Sequence, residues 1–573
     1  MPFDLKNFQD PDLDADYVAY LVDQQGPENE AFHNRLWNYY RNPLIPAVGV
    51  SAGALNENSR PYFLAQEVGL PARITGVQRL GGGSEHLTDL RRKEVVIEND
   101  IGWRIQTMVD FLFGRPATIR SLAEDRDLAA AIEQVLSAML DANGGAVFLQ
   151  EIALFGAVFG FVDIALRIPA DWPARRLSAL SHPAGSPVPL GSADRSLSGT
   201  GRPGTPSTEP QKTSTTSSSR ADGQKDSPGD RSRTNTERAT HSALSRAVLL
   251  ARLLRLETVE APRILPILAE DDYRKTRYWI QRYHKHPSRT APQKRSWLRL
   301  PGTHQPGPTP DIVEVVEILS PNWWQRYEDR RLIAEGSNAL GRIPIVHVQN
   351  IASPGTYPGL SDVEPMIPLQ DELNTRLSDR AHRVTYQSFK MYLGKGIDDF
   401  LERPVGPGQM WATQNLQASI EEFGSDDGSP SEDIHIDQIR QAMDKVSGVT
   451  PLAAGLIRGE VGNLTSAAAL RVVLSGLLAK TTRKRLTFGV GLQNIADLVL
   501  DWLDRSGVLK TQAIDRRIEV HWPSPLPSDE AEQLRNAQVK QQLGVPTDRI
   551  LAELGYDHQI IHLQSQQSRK DRT

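Results

Sequence analysis

A sharp change of composition divides the chain and limits how it can fold. Residues 178–243 are dominated by Ser, Thr, Gly, Pro and charged residues, and the part from 191 to 242 contains one leucine and no aromatic side chain. Such a stretch buries too little apolar area to offset the conformational entropy lost on folding. We therefore predict that 178–243 is disordered. We also predict that it is an insertion within a domain, because strongly patterned sequence lies on both sides.

Length and composition exclude several classes of protein. At 573 residues the chain is too long for one ordinary domain, and about three or four are expected. A net charge of −5 does not suit a basic nucleic-acid coat, and the lack of cysteine excludes disulfides and thiolate metal sites. The acidic N-terminus lacks a signal-peptide pattern, and no uncharged apolar run approaches the ~20 residues of a membrane helix. We expect a soluble protein made inside the cell.

Hydrophobic patterning predicts a mainly helical α+β fold. Apolar residues at helical spacing predict a helix over 99–116. The apolar stretch 147–168 predicts a buried helix, a tight turn near Gly160 and then a strand. Short β-branched and aromatic runs between 244 and 348 predict a β-rich region.

Three helices are predicted in the last third of the chain. They run from about Pro368 to Phe389, from Asp433 to Val446, and from Thr465 or Ser466 to Leu503. Ser361 and Glu364 could form a capping box before the first helix. The apolar stripe of the third is interrupted over Lys480–Arg485, and glycines follow, so we expect a bend there. After it, 516–522 alternates as a strand, and two shorter helices follow.

A glycine-punctuated loop at 455–463 leads into the third helix, which raises the possibility of a phosphate site. A Walker A loop requires GxxxxGK[ST], because its lysine reaches the β- and γ-phosphates. Asn463 and Leu464 occupy the positions of that lysine and hydroxyl residue. No strand signal precedes the loop, which argues against a dinucleotide site as well. The sequence predicts no nucleotide site here.

No other stretch predicts catalysis, a metal or a cofactor. The glycines of Leu80–His86 favour a flexible turn, and His284 and His286 alternate on an exposed strand. The basic run Lys480–Arg485 leaves three interpretations open: a contact to a nucleic-acid backbone, a solvated helix face, or an ion-pair network between subunits. We see no constellation of nucleophile and base, and expect a protein that is not an enzyme.

The order of several motifs resembles tailed-bacteriophage portal proteins, the head-to-tail connectors. The stretch 343–382 is similar to the portal pattern of a strand followed by a G-x-S-D turn and a helix. Ser466 to Leu470 are similar to the start of a long portal helix, with Ala467 where glycine is usual. Weaker matches lie in 99–119 and 541–557. The residues that match in the first motif are Pro344, Val346, Asn350, Gly359, Ser361, Asp362, Leu369, Asp371 and Asn374.

The resemblance implies a homo-oligomeric ring, commonly a dodecamer, at one vertex of a capsid. Double-stranded DNA would pass through its channel during packaging and ejection. The implied partners are further copies of the chain, the terminase large subunit, the major capsid or scaffolding protein, and neck or adaptor proteins. The protein would be assembled in the host cytoplasm and reside in the virion, with no membrane partner. The alternatives are another virion structural or adaptor protein, or a nucleic-acid-processing packaging ATPase.

The resemblance also implies a division of the chain into regions. These are a wing (1–360, with the insertion), a stem helix (361–389), a clip (390–432), a second stem helix (433–449), a tunnel loop (450–464), a long wing helix (465–506), and a strand, connector and crown (507–573).

Within these regions the resemblance implies candidate site residues. In the tunnel loop, near moving DNA, they are Arg458, Gly459, Glu460, Val461, Gly462 and Asn463. In the stem they are Asp371, Asn374, Arg376, Arg380 and Arg383. In the clip, for docking, they are Lys395, Asp398, Asp399, Glu402 and Arg403. The 178–243 insertion has no counterpart in the pattern.

Overall fold

The computed structural model shows an α+β protein. It describes residues 2–46, 62–75, 77–80, 83–86, 94–172, 243–272, 275–285, 312–388, 391–395, 416–423, 430–455, 467–526, 530–547, 550–551 and 554. The predicted disordered segment lies outside the described residues, except for its last position.

The helices begin where short polar side chains can cap them. Asn99 accepts a hydrogen bond from the Gly102 amide at the start of α4, and Asp125 accepts from two amides at the start of α5. The helices are α1 (Ala15–Tyr20), continued by a π-helical turn (Leu21–Gln25) into α2 (Gly26–Arg41), then α3 (Ala72–Thr75), α4 (Asp100–Phe113), α5 (Arg126–Ala142), α6 (Ala146–Phe159), α7 (243–251), α8 (Ile367–Ser388), α9 (Pro430–Ser447), α10 (Ala467–Val473), α11 (Ser475–Arg505) and α12 (Glu530–Gln542).

The strands form antiparallel sheets and hairpins. They are β1 (Leu44–Pro46), β2 (Tyr62–Leu64), β3 (Val77–Leu80), β4 (Gly83–His86), β5 (Thr118–Ser121), β6 (Phe161–Arg167), β7 (Arg255–Val259), β8 (Ile264–Leu268), β9 (Thr276–Lys285), β10 (Val313–Leu319), β11 (Trp323–Glu328), β12 (Arg331–Ser337), β13 (Ile345–Gln349), β14 (Met391–Lys395), β15 (Ser419–Phe423) and β16 (Ile518–His521).

Two sheets organise most of these strands. The larger has the order β12-β11-β10-β9-β8, and the smaller has β13-β6-β7, with antiparallel neighbours throughout. The pairs β1-β2, β3-β4 and β14-β15 are local, whereas β5-β16 joins distant parts of the chain.

Three clusters of buried apolar side chains hold the elements together. The first packs α4, α5 and α6 against α11, with Phe113 and Phe488 in edge contact at 5.9 Å between ring centroids. Trp172 and α7, the two flanks of the long segment 173–242, both contribute to this cluster. The second cluster joins α2 and α4 to α8 and α9, and the third packs the N-terminal segment on the larger sheet.

Several predicted elements are confirmed. The 147–168 stretch is α6 followed by β6, and Gly160 between them has a φ of +90°. Strands occur within the β-rich region at β8, β9, β10 and β13, and 516–522 contains β16. A side chain at Gly160 would bring its Cβ to 2.5 Å from the Gly359 carbonyl oxygen, so glycine is required both for the turn and for the close approach.

The helix predictions in the last third are correct in type and partly wrong in detail. The helix is not interrupted at the predicted bend, since α11 runs continuously through Lys480–Arg485 and through both glycines. The interruption lies instead at Leu474, between α10 and α11. Ser361 Oγ does cap, accepting from the amides of Val363 and Glu364, and a 3-10 turn precedes α8.

One further expectation is corrected. Residues 243–251, at the start of the predicted β-rich region, form the helix α7. Val384 of α8 is 52% exposed, so the buried side of this helix ends before it. Within the described part of the chain no single helix is long and apolar enough to cross a membrane; α5 and α6 reach that length and apolarity only as a pair, bent by 71°.

Candidate functional site

Helices α8 and α9 form a hairpin connected through the strand pair β14-β15. Ile436, Ile439 and Met443 recur on one side of α9 and are buried, as is Leu373 of α8. In the half of the hairpin nearer β14 and β15, ion pairs join the two helices: Arg380 pairs with Asp433 at 2.9 Å, and Arg383 pairs with Glu432. The strands β14 and β15 then pair with each other beyond the helices.

The five predicted stem residues of α8 face two directions. Asp371 accepts a hydrogen bond from the Tyr39 hydroxyl at 2.7 Å, and Asn374 is fully buried. Burial raises the pKa of Asp371, against the lowering effect of the Tyr39 hydrogen bond. The three arginines lie on the half-exposed side, where Arg376 pairs with Glu372 at 2.7 Å. Of the five residues, Asn374 is buried and Arg380 is exposed, whereas Asp371, Arg376 and Arg383 are partly exposed.

Beyond α9 the chain is held by a buried arginine of α4. Arg104 is 1% exposed and contacts Asp100 at 2.9 Å and Asp444 at 2.5 Å. It also donates to the carbonyl oxygen of Val449 at 2.6 Å. Because a desolvated charge is costly unless it is paired and hydrogen-bonded, Arg104 ties the end of α9 firmly to the body of the protein.

The start of α11 is held by a second buried group of charges. Asp362 lies just after the Ser361 turn, and its two carboxylate oxygens contact Lys480 Nζ at 2.7 Å and Lys484 Nζ at 2.5 Å. Lys480 also donates to the Ser447 carbonyl oxygen at 2.8 Å, which links this group to the end of α9. Asn350 donates to the same carboxylate at 2.9 Å.

The environment of Asp362 keeps it ionised. Burial would raise the pKa of its carboxyl group, but the ammonium groups of Lys484 and Lys480 outweigh burial and lower the pKa to about 2. Burial lowers the pKa of Lys484, and the Asp362 carboxylate opposes that effect. The two groups together, which we call the loop base, comprise Asp100, Arg104, Asp362, Asp444, Ser447, Val449, Lys480 and Lys484, with three cations balanced by three carboxylates.

Residues of the loop base lie on both sides, along the chain, of the glycine-rich segment that was considered above as a phosphate site. Gly448 and Gly476 approach each other, since a Cβ on Gly476 would lie 3.7 Å from the Gly448 carbonyl oxygen. The two ends of the intervening segment are therefore neighbours in space. Its central residues are outside the described part of the chain; these are the predicted loop residues Arg458, Gly459, Glu460, Val461, Gly462 and Asn463.

The basic run Lys480–Arg485 is not one exposed helix face. Lys480 and Lys484 are buried in pairs with Asp362, so their ammonium groups are bound within the chain. Arg485 is half-buried over the Trp522 ring and donates to the Pro523 carbonyl oxygen at 2.8 Å. Arg483 is the exposed cation of the run.

Sequence reasoning missed the loop base, although a signal was present. Lys480 and Lys484 fall at helical spacing between the apolar residues Leu477 and Phe488, which places all four on the buried side of α11. A lysine within an apolar stripe indicates a buried ion pair, and Asp362 belongs to the G-x-S-D motif.

Most of the predicted docking residues lie outside the part of the chain that the structure describes. Lys395, at the end of β14, is exposed. The others lie outside the described residues: Asp398, Asp399, Glu402 and Arg403. Within the described ranges, no three His, Asp or Glu side chains are grouped so that they could hold a metal ion.

Comparisons with known proteins identify one family model and distantly similar solved structures. Residues 311–568 match the family model described as phage portal protein, SPP1 Gp6-like. No curated protein matches the chain. Among the similar structures are those titled virion of native gene transfer agent (GTA) particle and neck of empty GTA particle computed with C6 symmetry, each at 11% identity over 79% of this chain and 89% of the other, with TM-scores of 0.38 and 0.39.

Proposed function

We propose, from the match of residues 311–568 to the family model described as phage portal protein, SPP1 Gp6-like, that this chain is a portal-type protein and forms a homo-oligomeric ring at one vertex of a capsid. The ring would be the channel for DNA packaging and ejection, and the docking site for the terminase large subunit and neck proteins. Members of this family are structural virion components, and we expect no catalysis.

The observation that supports this proposal best is the α8–α9 hairpin with its terminal strand pair. Two ion-paired helices that carry a small β-unit suit a stem with a clip at its end. We accordingly assign 361–389 and 433–449 to the stem, 390–432 to the clip and 450–464 to the tunnel loop. The wing is assigned to 1–360 and 465–506, and the strand, connector and crown to 507–573.

The charges of the hairpin fit a channel through which DNA slides. Each phosphate that a protein cation neutralises releases counterions and adds affinity, which would resist sliding. The three half-exposed arginines of α8 are paired with Glu372, Glu432 and Asp433. The lysines of α11 are buried. Neither α8 nor α11 therefore presents a row of unpaired cations to a DNA strand.

The experiment that tests the proposal is electron microscopy of the purified full-length chain. We expect closed rings with a central channel, because a heterologous contact between identical subunits closes when its rotation divides the circle. Light scattering on the same sample gives the subunit number. A monomer that persists at high protein concentration would contradict the proposal.

A further inference from the structure

An extended segment runs along α8 and is bound mainly through its backbone. We call residues 94–99 the strap; it leads directly into α4. The Val96 amide donates to Ser378 Oγ at 3.0 Å, and the Glu98 amide donates to Asn374 Oδ1 at 3.0 Å. Gln370 Nε2 donates to the Glu98 carbonyl oxygen at 2.6 Å, and Gln370 Oε1 accepts from the Asp100 amide at 3.0 Å.

The spacing of these bonds follows from the geometry of the two elements. Alternate residues of an extended chain lie about 6.6 Å apart, and residues four apart on a helix are separated by about 6 Å along its axis. Residues 96, 98 and 100 of the chain therefore stay in register with residues 378, 374 and 370 of α8. All three α8 side chains are fully buried. The helix thus binds the strap as a neighbouring strand would, by its amide and carbonyl groups.

The strap also reaches α9 and ends at the loop base. The Glu98 carboxylate pairs with Arg440 of α9 at 2.6 Å. Asn99 caps α4, and the next residue, Asp100, pairs with Arg104. An unbroken series of hydrogen bonds and ion pairs therefore connects both helices of the hairpin to the residues that hold the end of α9 and Val449.

We propose that the strap fixes the position of α4, and with it Arg104 of the loop base, relative to the α8–α9 hairpin, with Gln370, Asn374 and Ser378 as positioning residues. A displacement of α8 is transmitted through the strap to α4, and through Arg104 to Val449. In the ring this would connect the clip end of the stem to the tunnel loop; that consequence rests on the proposed function, whereas the coupling within one subunit does not.

Hydrogen exchange measured by mass spectrometry on the full-length protein tests the coupling. In Asn374→Leu, which removes the acceptor for the Glu98 amide, we expect exchange in the strap to rise at least tenfold, and exchange in Asp444–Ala454 at least threefold. The matched control is Arg376→Gln, on the half-exposed side of the same helix, which should change neither segment by more than about twofold, as expected for a surface pair.

A milder variant covers the case in which Asn374→Leu does not fold. Ser378→Ala removes the bond to Val96 with little change in volume, and we expect smaller increases in the same two segments. Faster exchange in the strap with unchanged exchange in 444–454 would overturn the proposal, as would a strap that stays protected in both variants. If the protein forms no ring, the function proposed above fails, but this measurement still decides the coupling.

Discussion

At the scale of single residues, Asp362 connects several parts of the fold. Its carboxylate pairs with two buried lysines and accepts from Asn350, and its own amide donates to the Ala157 carbonyl oxygen at 2.8 Å. One side chain thus joins the turn before α8 to α11, and through Lys480 to the end of α9. Removing its charge would leave two ammonium groups buried without a carboxylate.

We predict that Asp362→Asn destabilises the protein at neutral pH by roughly 3–5 kcal/mol, the usual cost of breaking a buried ion pair by removing one partner. The free energy of unfolding is measured by urea denaturation followed by tryptophan fluorescence. The exposed Asp437→Asn on α9 is the control and should stay within about 0.5 kcal/mol of the wild type. Equal stability of the two variants would contradict the role assigned to Asp362.

The same residue gives a pH dependence with a definite sign. Its folded pKa of about 2 lies below the ordinary aspartate value of 3.8, so its contribution to stability is present above pH 4 and is lost as the pH falls through 2. A depression of roughly two pKa units corresponds to about 2–3 kcal/mol. The Asp362→Asn variant should lack this part of the acid loss between pH 4 and 2. An acid profile parallel to that of the wild type would contradict it.

At the scale of elements, the segment between the two ends of the loop base is the best site for a deletion. Because Gly448 and Gly476 are neighbours and both ends are held by buried charges, shortening the loop should not strain the body of the protein. We predict that deleting Gly459–Asn463 leaves assembly unchanged and reduces DNA packaging at least tenfold. Rings are counted by microscopy, and packaging by protection of DNA from nuclease. A five-residue deletion at 211–215 is the control, and normal packaging in the 459–463 deletion would show that this loop does not act on DNA.

The β14–β15 unit gives a second prediction at this scale. Lys395 is exposed at the end of β14, and reversing its charge should weaken an interface at its rim mainly through the association rate. We predict that Lys395→Glu reduces capture of the terminase large subunit or of a neck protein three- to tenfold in a pull-down at low salt. Lys445→Glu, exposed on α9 outside the 390–432 segment, should bind as the wild type does. Equal capture by both variants would argue against 390–432 as the docking region.

The elements also show what could be inferred from sequence and what could not. The turn at Gly160, the strands of the β-rich region and the helices α8, α9 and α11 follow local sequence patterns, so their types were predictable, whereas the pairing of the strands was not. The break at Leu474 was not, because the run around Lys480 looked like an exposed interruption of the stripe. Its lysines are buried only because Asp362, more than a hundred residues earlier in the chain, reaches them. The strap could not be predicted from sequence either, because α8 binds it mainly through backbone groups and not through particular side chains.

At the scale of the whole molecule, the two flanks of residues 173–242 enter one core. Trp172 packs against Trp502 at 5.9 Å between ring centroids, and α7 contributes Ala247, Leu250 and Ala251 to the same cluster. A compact unit is therefore built from sequence on both sides of the segment. The part of that segment from 191 to 242, with one leucine and no aromatic side chain, offers the core almost no apolar area.

We predict that deleting 191–242 leaves the fold intact and raises the free energy of unfolding by about 1 kcal/mol, because the connection shortens roughly fourfold and each halving of a loop saves roughly 0.6 kcal/mol. Denaturation and circular dichroism measure this. Removal of Trp172 as Trp172→Ala is the contrast, expected to cost roughly 3–5 kcal/mol as a buried aromatic truncation. A deletion variant that unfolds would show that the segment contributes to the core.

The burial of the loop base has a consequence for the ionic environment. Mobile ions weaken attractions between exposed charges beyond a Debye length of about 8 Å at physiological ionic strength, but act far less on charges without solvent access. The Arg380–Asp433 pair of the hairpin is half-exposed and will weaken in concentrated brine. The buried contacts of Arg104, Lys480 and Lys484 will not weaken in this way. The ion pairs that hold both ends of the 455–467 segment therefore keep their strength even beside a densely packed polyanion, where counterions are concentrated.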